Sequence, residues 1–110
     1  MSNIIENKNS FFVENNIRFV FIDGNANDTI DKCYATLQAQ LSIPDYFGNN
    51  LDALEEVMND LDWVTEEKIN IIISAEEALL KNDEDSKNDF LEILETSSLE
   101  KVHIIYLKNK

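Results

Sequence analysis

Three short runs rich in β-branched and aromatic residues set the limits on this fold. They are Ile17–Ile22 (IRFVFI), Ile69–Ile73 and Val102–Leu107 (VHIIYL). Each has the length and residue types of a buried strand. The stretches between them repeat their apolar residues with helical spacing. The order is therefore strand, helix, helix, strand, short helix, helix, strand. Strands that alternate with helices pair in parallel through right-handed crossovers, which makes this an α/β domain. The Ile69–Ile73 run suits a strand covered on both faces or lying at the centre of the sheet.

The first helix is expected over Thr29 to about Leu41, capped by Asp28, with Ile30, Cys33, Tyr34, Leu37 and Leu41 as its buried stripe. Pro44 closes the connection that follows. Ser74 and Glu77 have capping-box spacing and predict a short helix at 75–81. The segment Asn82–Asn88 (NDEDSKN) reads as an acidic loop without the alternating ligands and glycine of a calcium loop. Ser86 and Asp89 then resemble a second cap, and Phe90, Leu91, Ile93 and Leu94 give the buried face of a helix ending near Ser97. Upstream of the first long strand, Phe11–Val13 reads as a short strand and Glu14-Asn15-Asn16 as its turn, because Asn tolerates left-handed backbone. Residues 1–16 are read as an extension, loosely ordered through residue 10 and with an edge strand at 11–13. The domain proper is 17–110.

The stretch from Tyr46 to Asp60 (YFGNNLDALEEVMND) reads as a loop feeding a two-sided helix. Gly48 offers a permissive backbone at the entry. Asn49 or Asn50 caps the first turn, where Asp52 suits the helix dipole. Leu51, Leu54, Met58 and Leu61 form one stripe. Asp52, Glu55, Glu56 and Asn59 form the other, with no lysine or arginine to balance it. Most such faces are simply solvated. An acidic face with an aromatic pair, Tyr46 and Phe47, at its mouth also suits a cationic partner.

Composition narrows that partner. The 110 residues carry a net charge of −13, which repels nucleic acid and anionic membranes and favours a basic protein. A single cysteine, Cys33, can form no internal disulfide, and it falls on a core stripe. The N-terminus has no basic start followed by an apolar run, so a cytoplasmic protein is expected. His103, the one histidine, sits in the last strand without a ligating neighbour in the sequence, and Trp63 is expected to pack. No phosphate loop, zinc spacing or Ser–His pair appears, so no cofactor or metal is expected.

The residues Ile43-Pro44-Asp45-Tyr46-Phe47-Gly48-Asn49-Asn50-Leu51-Asp52-Ala53-Leu54 resemble the aromatic-aromatic-Gly-x-Asn-Leu-Asp-Ala-Leu signature of the barstar family, small intracellular inhibitors of secreted bacterial ribonucleases. The resemblance extends in outline from about Val20 to Leu107 and leaves out the first sixteen residues. It implies a small three-stranded parallel sheet packed with helices, to which the N-terminal hairpin adds an edge strand. It also implies a binding face. Tyr46 matches an aromatic that packs on the enzyme, and Phe47 stands where a tyrosine is usual. Gly48 and Asn50 match. Asp52 matches the first acidic contact, and Glu56 stands at the central carboxylate, commonly an aspartate. Glu55 falls where a tryptophan is frequent and Asn59 where a hydroxyl residue is frequent. Glu95 is the nearest candidate for an acidic contact late in the last helix.

The function implied is that of an immunity protein, not an enzyme. It would be a monomer when free and form a 1:1 complex with a basic ribonuclease toxin, holding the enzyme's arginines with charge-assisted hydrogen bonds. Two other readings stand beside it. An acidic adaptor for some other basic protein would tolerate loss of Glu56. A hydrolase using paired carboxylates would need a cleft that shifts their pKa, which a convex solvated helix face does not supply.

Overall fold

The sheet forms because Ile17–Ile22 and the two later apolar runs can satisfy their backbones only against one another. In the computed structural model, which describes residues 11–44, 48–97 and 100–107, they become β2 (Ile17–Asp23), β3 (Lys68–Ser74) and β4 (Val102–Tyr106). A three-residue strand, β1 (Phe12–Glu14), precedes them. The strand order is β1-β2-β3-β4, with β1 antiparallel to β2 and the other pairs parallel. The parallel sheet and the added edge strand are both as the sequence predicts. The β1–β2 turn is the two-residue left-handed type: Asn15 and Asn16 have φ of 56° and 64°. That geometry matches the twist of the flanking strands. The expectation for residues 1–10 lies outside the described residues.

Helices α1 (Ile30–Leu41), α2 (Leu51–Asp60) and α3 (Glu84–Thr96) supply the other half of the core. The strand residues in that core are Val20, Ile22, Ile69, Ile71, Ile73 and Val102. Their register, with Val20 beside Ile71 and Ile69 beside Val102, puts all of them on one face. Leu37, Leu41, Leu54, Met58, Phe90 and Leu94 cover that face from the helices. The opposite face carries Phe12, Phe19, Phe21, Ile72 and Ile105, none of them fully buried. Thus β3 is central, as expected, but is covered deeply on one side only.

Several local expectations are corrected. Thr29, not Asp28, caps α1: its hydroxyl accepts from the Lys32 amide. Asp28 instead pairs with the Lys32 ammonium and the Asn82 side-chain amide, and Asp83 accepts from the Ile30 amide. A carboxylate from a distant segment thus completes the cap. Ser74 ends β3, so no capping box forms, and only a single 3-10 turn, Glu76–Ala78, follows from a left-handed Ala75. The acidic segment is loop only through Asp83. Glu84 already begins α3, because Glu84 and Asp85 suit the dipole of its first turn.

A buried polar side chain takes over the sheet edge where β1 runs out. Gln40, fully buried, accepts from the Phe21 amide and donates to the Phe21 carbonyl, both at 2.8 Å. Its side chain thereby stands in for the next residue of an edge strand. Arg18 is also buried. It pairs with Glu66 at 2.9 Å, donates to the Gln40 carbonyl, and has its guanidinium 3.8 Å from the centre of the Phe11 ring.

Candidate functional site

Helix α2 is fixed at its start by Asn50. The Asn50 side chain accepts from the Ala53 amide at 2.8 Å and donates to the Gly48 carbonyl at 3.2 Å. The left-handed turn before the cap belongs to Asn49, with φ of 55°, and not to Gly48. Gly48 matters for space instead. A Cβ there would sit 3.1 Å from the capping amide of Asn50. Leu54, Val57 and Met58 anchor the helix in the core, and Leu61 closes it in the left-handed conformation. Val57 was not part of the predicted stripe. It is buried because the contact surface is wider than a single row of residues.

The opposite side of α2 is open. Asp52, Glu55, Glu56 and Asn59 are all exposed. The Asn59 amide donates back to the Glu55 carbonyl, which holds it against its own helix. Among the described residues, Asp52, Glu55 and Glu56 enter no ion pair. One turn further, Asp60 hydrogen-bonds Asp62, and that contact holds its carboxyl above the usual range. Acidic side chains thus continue past the end of the helix at Asp62, although their contact makes Asp60 harder to ionise. Tyr46 and Phe47 lie outside the described residues.

The packing of α2 on α3 adds a feature that the sequence did not reveal. Asp52 and Glu55 face Asp89 and Glu92 of α3 across a groove of about 340 Å³, with Leu51, Ile93 and Thr96 also lining it. Glu56 does not line this groove. Residues 89, 92 and 96 have the i, i+3, i+7 spacing of one helix face. That signal is in the sequence, but the choice of face depends on where α2 docks. Glu95, the residue expected to contribute from the last helix, lies on another flank of α3. There it accepts from the Tyr106 hydroxyl and lines a hollow with His103 and Ile104. Burial and Glu95 together push the Tyr106 phenol upward.

Trp63 and Cys33, also singled out in the sequence, are structural. Trp63 packs against the core and donates from Nε1 to the Leu41 carbonyl at 2.8 Å. Cys33 is fully buried, and burial pushes its thiol up to about 12, with Asp83 and Asp28 adding to the effect. His103 is exposed on β4. Among the described residues, no three His, Cys, Asp or Glu side chains group as metal ligands would, and no helix is long and apolar enough to cross a membrane.

No curated protein matches the chain in a sequence comparison. Residues 17–104 match the family model described as Barstar (barnase inhibitor). The match opens at the first residue of β2 and takes in every element from there to the middle of β4. A protein with this sheet, these helices and this match over most of its length belongs to the barstar family.

Proposed function

We propose that this protein is an immunity protein that neutralises a basic ribonuclease toxin inside the producing cell, with α2 as the inhibitory element. The observation that carries the reading is the acidic face of α2, which enters no ion pair among the described residues, on a helix anchored by buried side chains. A ribonuclease must bind a polyanion, so its active site is rich in arginine and lysine. A rigid array of carboxylates can occupy the phosphate positions and accept charge-assisted hydrogen bonds there. Because α2 is held before the encounter, little ordering cost falls on binding.

In this reading Glu56 enters deepest, Asp52 contacts at the first turn, and Glu55 and Asn59 border them. Gly48 and Asn50 shape the approach, and Tyr46 and Phe47 pack against the enzyme. The placement of Glu92 across the groove makes it a better companion to Asp52 than Glu95.

The test is a pull-down from the host's lysate and secreted fraction, with wild type, Asp52→Ala and Glu56→Ala as baits, followed by an RNA-cleavage assay on what is retained. Wild type should retain a small basic nuclease and silence it. Each variant should bind at least about 30-fold more weakly, the ratio for 2 kcal/mol lost when a desolvated charge loses its partner. Their unfolding midpoints should stay close to wild type. Equal retention by all three baits would exclude this face, and retention of a basic protein without nuclease activity would favour an acidic adaptor.

A further inference from the structure

The two edges of the sheet are finished differently. On one side, β1 pairs with residues 17–19 of β2 and the Gln40 side chain takes the outward amide and carbonyl of Phe21. On the other side, β4 is the last strand, and no described residue pairs with its outer edge. The register fixes which groups that edge presents. Ile69 donates to the Lys101 carbonyl and Leu107 to the Ile73 carbonyl, with Ile71 beside Ile104. Odd-numbered residues of β4 therefore turn their backbone groups toward β3. Val102, Ile104 and Tyr106 turn their N–H and C=O groups outward. Proteins usually blunt such an edge with proline, lysine, a bulge or a covering segment. The sequence of β4, VHIIY, contains none of these residues.

We propose that this edge is a docking site for an extended segment of a basic partner protein, added to the sheet as a fifth strand. Its backbone would pair with Val102, Ile104 and Tyr106, and its alternate side chains would face two different environments. Toward the helices lies the hollow of about 330 Å³ lined by Glu95, Val102, His103, Ile104 and Tyr106. A carboxylate accepts several hydrogen bonds, so Glu95 keeps room for a lysine or arginine beside the Tyr106 hydroxyl. On the open side lie Ile105, 40% exposed, and Leu107, 51% exposed, which suit an apolar residue. The segment recognised alternates basic and apolar residues. A second copy of this chain is the wrong occupant, since it would bring another net −13 and another Glu95 to the same edge. The site is separate from the acidic face of α2 and does not depend on it.

A heptapeptide alternating lysine and valine, acetylated and amidated, is the probe, added to the full-length protein while backbone amide exchange is followed by NMR. Exchange at Val102, Ile104 and Tyr106 should slow, while His103 and Ile105, already bonded to β3, should not change. A peptide N-methylated at the residues facing β4 should lose binding. Glu95→Lys should weaken the lysine–valine peptide several-fold and favour a glutamate–valine peptide. Glu56→Ala should leave binding unaltered. The proposal fails if the three outward amides stay unprotected at saturating peptide, or if the N-methylated peptide binds equally well. It fails also if Glu56→Ala abolishes binding, or if the protein alone protects those amides more at higher concentration, which would make a second copy the occupant.

Discussion

Of the two glycines, Gly24 has far less room for a side chain than Gly48. It follows β2 directly, and a Cβ built on it would lie 1.9 Å from the Ala75 carbonyl oxygen and 3.0 Å from the Leu79 amide. Both neighbours are backbone and cannot rotate away. Gly24→Ala should therefore cost about 3 kcal/mol or more, read from the urea midpoint, since overpacking against fixed atoms forces the chain itself to move. Cys33 makes a different prediction. Its thiol ionises at about 12 when folded, against an ordinary 9.0. The neutral thiol is thus favoured by the native state. Its contribution is complete below pH about 9 and is lost as the pH rises toward 12. Stability should fall across that window, and Cys33→Ala should flatten the fall. The loss will not vanish, because burial also raises Tyr34 and Tyr106.

At the scale of elements, the sheet is completed by a side chain. The hairpin β1 was readable in FFVENN because Asn-Asn supplies two left-handed residues between apolar ones. That β1 is too short to cover Phe21 was not readable, and neither was the role of Gln40, which a helical wheel assigns to no special task. Gln40→Leu should cost about 2 kcal/mol by leaving two backbone groups of Phe21 without their partner. Hydrogen exchange at the Phe21 amide should accelerate out of proportion to the global loss. The caps follow the same division. An asparagine cap on α2 was legible as Asn49 or Asn50, and the structure settles it on Asn50, at N-cap to N3 spacing. Asp83 caps α1 from 53 residues away, and local pattern cannot show that. The candidate site divides likewise. The acidic face of α2 follows from periodicity, whereas its pairing with Asp89 and Glu92 depends on how α3 packs.

For the whole molecule, the charge of −13 has opposite effects on folding and on binding. Only three ion pairs occur among the described residues, so most of the negative charge is unneutralised and repels itself. Raising NaCl from about 20 mM to about 300 mM shortens the Debye length from roughly 20 Å to under 10 Å. The thermal midpoint should rise over that range, while the association rate with a basic partner should drop by at least about tenfold. A calorimetric series and a stopped-flow series on the same samples check both. Parallel movement of the two quantities would show that long-range charge does not govern association.

By itself the sequence determined the class of fold, the strand order along the chain, the hairpin turn, the two faces of α2, and the family. All of these depend on contacts or periodicities within a few residues, or on a signature twelve residues long. Tertiary structure alone decided which sheet face is covered, which distant carboxylate caps α1, which flank of α3 joins the acidic face, and which sheet edge no described strand pairs with. Those outcomes depend on how elements far apart in the chain are brought together. Backbone groups that must find partners and apolar surfaces that must leave water are satisfied across such distances, not within any one segment.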